Sequence, residues 1–127
     1  MPKPTLTILA GRFTIHRLAA QADIPQEVTR AGFFAITRTD EELSIVAPAR
    51  IAVPSERSDP GWACLKVDGP LDFSLVGILS GLSAALAEAG ISLFALSTFD
   101  TDYILVKAEK LAGACQALKA RGYEVHE

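Results

Sequence analysis

Two short stretches of this 127-residue chain combine residue types that bind small polar molecules. The first is Thr98-Phe99-Asp100-Thr101-Asp102, preceded by Ser97, in which two carboxylates stand among hydroxyl side chains. Three readings of it are open. The aspartates can accept backbone hydrogen bonds in a solvated hairpin turn. They can belong to a divalent-metal site, but two carboxylates without further ligands are too few for a cage built by the protein alone. They can also make short, charge-assisted bonds to a cationic group such as the ammonium of an amino acid. The second stretch is Asp68-Gly69-Pro70-Leu71-Asp72. Gly69 lets backbone approach a ligand closely. A helix starting near Phe73 would point unpaired N–H groups and its positive dipole end at this corner, which suits a carboxylate. Asp72 can instead cap that helix and fill the anion position internally. Together, N–H donors for a carboxylate and an acidic turn for an amine would cradle an amino acid.

Catalysis finds little support. Nucleophilic chemistry needs a nucleophile, a base and a group that orients the base. The histidines are His16, in a strand-like stretch, and His126, next to last in the chain. Cys64 and Cys115 sit inside apolar patterns without metal-ligand spacing, so both are expected to be buried, reduced thiols. No glycine-rich nucleotide motif is present. An enzyme using Asp100 or Asp102 as general base lacks a second catalytic group at any recognisable spacing. No catalytic residue, metal or cofactor is therefore expected. The net charge of −3 argues against a nucleic-acid partner. No apolar run is long enough to span a bilayer, and Met1–Ala10 has no secretory pattern, so a cytoplasmic location is expected.

Several elements must hold these two stretches in place. Half the residues are hydrophobic and 21% are charged, enough to bury a sizeable interior. Leu6 to Leu9 and Phe13 to Leu18 read as strands bent at Ala10-Gly11. Pro25 to Arg30 has room for one short helix, with proline at its first position. Phe33 to Thr37 and Leu43 to Ala47 read as strands around an acidic turn, and the proline-bounded stretch Pro54 to Gly61 reads as the one linker. Ala63 to Val67 is a strand. Leu75, Ile78, Leu79, Leu82 and Leu86 mark one face of a helix over Phe73 to Ala89. Gly77 and Gly81 lie on an adjoining strip, where they would let the helix sit close to a neighbour. Strands follow at Ile91 to Ser97 and Tyr103 to Lys107, then a helix from about Glu109 carrying Leu111, Ala114, Cys115 and Leu118. Tyr123 to His126 can form a last strand.

The chain also repeats itself. Laying Phe33 to Ile51 over Leu93 to Leu111 at an offset of 60 puts Phe34 on Phe94, Asp40 on Asp100, Glu42 on Asp102 and Val46 on Val106. Such fixed-period similarity marks duplicated units. Two copies of strand–helix–strand–strand–helix–strand give an α+β fold, in which antiparallel sheets carry helices on one face. The first copy is degenerate, since its helices are short or missing. The expected division is 1–58 and 59–127.

The runs Leu65 to Phe73 and Ala89 to Val106, with Ser97-Thr98-Phe99-Asp100-Thr101-Asp102-Tyr103-Ile104-Leu105-Val106 the more specific part, resemble the ACT domain. More narrowly, they resemble the bacterial tandem-ACT family related to the CASTOR amino-acid sensors. The first half matches more loosely, through Phe33-Phe34 and Glu42 to Val46. The resemblance implies tandem ferredoxin-like (βαββαβ) modules without catalysis, which bind amino acids at module interfaces and pass the binding state to a partner protein. It places ligand contacts on Asp68, Gly69, Pro70, Leu71 and Asp72, and on Ser97, Thr98, Asp100 and Asp102. Asp68 stands where a small or hydroxyl residue is expected in the arginine sensor, so the ligand stays open. The sensor carries four modules, so a comparable assembly of this chain would be a homodimer. The alternative is a ligand-free dimerisation module that docks on a partner enzyme or transporter.

Overall fold

The computed structural model describes residues 3–69 and 77–127. In chain order the described elements are β1 (Thr5–Ile8), β2 (Phe13–Leu18), α1 (Gln26–Thr29), β3 (Ala35–Arg38), β4 (Leu43–Pro48), β5 (Arg57–Val67), α2 (Ile78–Glu88), β6 (Phe94–Ser97), β7 (Asp102–Lys107), α3 (Leu111–Ala120) and β8 (Glu124–His126). The fold is α+β and divides into two units. The smaller runs from Gly11 to Trp62; the larger holds the N-terminal segment up to Ala10 and the chain from Ala63 onward.

In the larger unit β6 pairs with β7, β7 with β5, β5 antiparallel with β1, and β1 parallel with β8. A βαββαβ sheet would set its last strand directly beside its first. Here β1 occupies that place and β8 lies one position further out. Leu6, central in β1, is fully buried between Val67 and Val125 in the ladder. The expected boundary between 58 and 59 therefore differs from the division of the fold, because β1 completes the other sheet.

The spacing of apolar residues in α2 explains its placement. Leu82, Ala85 and Leu86 are buried, with Ile78 and Leu79 packed beside them against Leu65, Ile104 and Val106. Burying a leucine side chain contributes roughly 1.5–3 kcal/mol. The expected start at Phe73, and Leu75, lie outside the described residues. Gly77 is not part of the helix: it is the residue before its first turn, left-handed at φ 85°. Gly81 does what the sequence suggested. A Cβ there would stand 2.7 Å from the Tyr123 phenol oxygen, so the small residue lets the helix meet that buried ring. A short 3-10 turn, Ala108–Lys110, leads into α3, which buries Ala114 and Leu118 against the same core.

The smaller unit has sheet order β3-β4-β2-β5, with every pair antiparallel. That is the order of a βαββαβ sheet. Its first helix is the single turn α1, whose Val28 is fully buried. Its second helix is absent. The connection 49–56 stands in its place as a strap, sending Ile51 and Val53 into a core of Leu18, Val28, Leu43, Ile45 and Ala47.

Two expectations are corrected here. The stretch Pro54 to Gly61 is not a free linker, since residues 57–61 are already in β5. The ladder with β2 shifts register between Phe13 and Ile15, and Gly61 is left-handed at φ 79°. An irregular ladder of this kind tolerates Pro60, which has no N–H to donate. The repeat is also one residue out of step. Ala35 pairs with Val46 and Arg38 with Leu43, while Phe94 pairs with Leu105 and Ser97 with Asp102. The pairing registers of the two hairpins correspond at an offset of 59, not 60. Residue identities favour the wrong frame by one position, a slip that would turn every strand side chain to the opposite face.

Candidate functional site

In the larger unit the start of the Asp68 corner and the Thr98–Asp102 turn lie at one end of the sheet. The turn between β6 and β7 closes when the Thr98 N–H donates to the Thr101 carbonyl at 2.8 Å. The Thr98 hydroxyl donates to the same carbonyl at 3.1 Å and accepts from the Thr101 N–H at 3.3 Å. This local bonding lets threonine close a turn where the chain must reverse. It leaves Thr101 4% exposed, with its hydroxyl directed at β5. That hydroxyl donates to the Val67 carbonyl at 2.5 Å. Val67 ends β5 and Asp68 begins the corner, so this bond joins the corner to the turn.

Asp68 is tied to β1 as well. Its N–H donates to the Thr5 carbonyl at 2.8 Å, and the Thr7 hydroxyl donates to its Oδ1 at 2.8 Å. Asp102 Oδ1 accepts from the Ser97 hydroxyl at 2.6 Å. Asp68, Gly69, Ser97, Thr98 and Asp100 are exposed and Asp102 is half-buried. Pro70, Leu71 and Asp72 lie outside the described residues. The structure thus brings Asp68 and Gly69 to the same end of the sheet as the turn carrying Asp100 and Asp102. Carboxylate oxygens have lone pairs beyond the single bond each accepts here, which leaves capacity for a cationic group.

Thr7 was not singled out by its sequence. It lies 61 residues from Asp68, and only the insertion of β1 beside β5 brings the two together. Thr101 was visible as a hydroxyl beside the aspartates, but its burial became apparent only from the sheet.

The groups that nucleophilic chemistry would use are placed otherwise. Cys64 is fully buried in β5, and burial pushes its thiol up to about 12. Burial also raises Cys115, with Lys119 pulling the other way and Glu127 adding to the rise. A raised thiol holds less of the reactive thiolate. His16 belongs to the smaller unit. Among the described residues no group of three or more His, Cys, Asp and Glu side chains could hold a metal ion. No helix among them is long and apolar enough to cross a membrane.

The ferredoxin-like order of these strands and helices is a fold that hosts many functions, and comparison with known proteins gives the family. Residues 57–120 match the family model of the ACT domain, and residues 11–56 match a separate model described as an N-terminal domain. The chain belongs to the ACT domain family. It is 31% identical over 133 residues to the human cytosolic arginine sensor for mTORC1 subunit 1, covering 95% of this chain and 40% of that protein. The Pongo abelii protein of the same name is 29% identical, with the same coverage. The chain thus spans about 40% of the length of these curated relatives. A crystal structure of an Agrobacterium tumefaciens protein aligns over 100% of this chain and 98% of that one, with TM-score 0.89 and 39% identity. The ligand-free regulatory subunit of aspartate kinase from Thermus thermophilus shares the fold, with TM-score 0.62 at 12% identity over 92% and 97% of the two chains.

Proposed function

We propose that the chain is a non-catalytic, amino-acid-binding regulatory module, with its site where the Asp68 corner meets the Thr98–Asp102 turn. The observation that carries this reading is the Thr101–Val67 hydrogen bond, which joins the two stretches in one unit. The relatives' names supply the ligand class: the curated ones are described as cytosolic arginine sensors. Asp68 and Gly69, with Pro70, Leu71 and Asp72 beyond them, would meet the ligand from the corner. Ser97, Thr98, Asp100 and Asp102 would meet it from the turn, with the carboxylates on an amine or another cationic group. The chain is two-fifths the length of the sensors it matches, so a homodimer would supply further ACT units, and a partner protein would read the bound state. A cytoplasmic setting follows the relatives' description.

A second reading draws on a different observation. Asp68 and Asp102 each already accept a hydroxyl bond within the chain, as they would in a ligand-free module that dimerises and docks on a partner. Thermal-shift measurements with the common amino acids separate the two. A ligand that binds only the folded state raises the melting midpoint by mass action. On the sensing account at least one amino acid does so, and Asp68→Ala and Asp102→Ala each abolish the response. No shift with any amino acid supports the scaffold.

A further inference from the structure

His16 lies in the middle of β2 at 7% exposure, paired with Ile45 of β4 and Ser58 of β5. Directly paired residues of an antiparallel ladder share a face. The imidazole therefore stands on the face of Leu18, Leu43 and Ile45, the one covered by the strap 49–56. Ile51 and Val53 hold the strap there through apolar contact. At the strap's far end the Ser55 hydroxyl lies 3.0 Å from His16 Nδ1. His16 Nε2 is buried and has no hydrogen-bond partner.

The charged groups on the surrounding elements give this ring no counter-ion. They are Arg17 on β2, Glu27 on α1, Arg50 and Glu56 on the strap, and Arg57, Asp59 and Lys66 on β5; β4 carries none. Glu56 is held by Arg17 at 2.7 Å. Glu27, Arg50, Arg57 and Asp59 are exposed, and Lys66 lies further along β5, in the ladder with Thr7 of β1. A protonated imidazole would carry two N–H donors and a positive charge. Under the strap one donor would be left without an acceptor and the charge without a partner, which is costly in a buried site. Water would meet both needs if the strap lifted.

We propose that His16 is the latch of a pH-responsive strap: as a neutral ring it holds 49–56 on the sheet, and its protonation releases the strap and uncovers the apolar face of the smaller unit. The sign follows from burial, which lowers the His16 pKa from the ordinary 6.5. The opened state binds the proton more readily than the closed one. Closed-state stability is therefore complete above about pH 6.5 and is lost as pH falls below it, down through the closed-state value.

Hydrogen exchange on the intact chain at pH 7.5 and pH 5.5, corrected for intrinsic rates, tests this. Protection of amides in 49–56 and in β2 should fall by up to about tenfold at the lower pH, while amides of α2 keep theirs. His16→Gln should remove the pH dependence. Ser55→Ala should lower protection of the strap at both pH values yet keep a dependence on pH. If the Gln variant fails to fold, an NMR titration of the wild-type ring decides, with exposed His126 as internal reference. A His16 pKa below that of His126 supports the latch. Equal strap protection at both pH values, a pH dependence that survives in His16→Gln, or a His16 pKa at or above 6.5 overturns it.

Discussion

In the smaller unit the Thr39 N–H donates to the Glu42 carbonyl at 2.8 Å; in the larger, the Thr98 N–H donates to the Thr101 carbonyl at 2.8 Å. Each threonine hydroxyl also accepts from the N–H of the fourth residue, at 3.1 and 3.3 Å. The backbone of the turn is the same, but its side chains act differently. The fourth residue of the larger unit's turn is Thr101, buried and bonded to the end of β5. In the smaller unit it is Glu42, and the corner after β2 is held instead by Arg38, whose guanidinium donates to the carbonyls of Ala20 and Ala22. One hairpin thus has its corner filled by its own cation. At the other, the corresponding corner carries the carboxylate of Asp68. A shared fold does not carry a shared site; the few side chains at the strand ends decide it.

The units differ as much in what covers their sheets. The larger has α2 and α3, and the smaller has one helical turn and a strap. Core truncation measures that difference most strongly. Leu86→Ala, at a fully buried position in α2, should cost about 3–5 kcal/mol, and Ile51→Ala in the strap about 2, because a strap can collapse onto the gap where a helix cannot. Urea titration reads both. Equal costs would mean that the strap packs as rigidly as a helix.

Gly81→Ala should cost about 1–3 kcal/mol from overpacking against the Tyr123 phenol, partly offset by the better helix propensity of alanine, about 1 kcal/mol. Adding Tyr123→Phe removes the oxygen and should restore much of the loss. Failure of the second change to help would show that the close approach does not set the position of α2.

Thr101→Val should cost about 1–2 kcal/mol by leaving the Val67 carbonyl without its donor, and should weaken any ligand response together with stability. Glu42, at the equivalent fourth position of the smaller unit's turn, makes no such bond to a neighbouring strand end, and Glu42→Val should cost less.

Much of this fold was legible before the coordinates. The stripe from Ile78 to Leu86 placed the buried face of α2, and the acidic turns marked both hairpins. What was hidden depended on contacts distant in sequence. Nothing local in Thr5–Ile8 says that it inserts beside β5, and Thr7 meets Asp68 for that reason alone. Pro54 to Gly61 read as a linker because the bulge at Pro60 and Gly61, two residues of β5 opposite Thr14 alone, exists only once β5 pairs with β2. The repeat was one residue out because its matching aspartates occupy different places in two otherwise equal turns. Of the proposed site, Asp68 and the Thr98–Asp102 turn drew notice as residue types, while Thr101, whose hydroxyl reaches the end of β5, was distinguished only by burial.

The melting midpoint with and without saturating amino acids, in wild type, Asp68→Ala and Asp102→Ala, tests the central claim most directly. Asp68 is exposed but accepts the Thr7 hydroxyl bond, so its replacement should lower stability without ligand by about 1 kcal/mol. At a concentration 100 times the dissociation constant, a bound amino acid should stabilise wild type by about 2.7 kcal/mol and leave both variants unmoved. A wild-type shift retained in full by both variants would put the ligand elsewhere and contradict the corner–turn site.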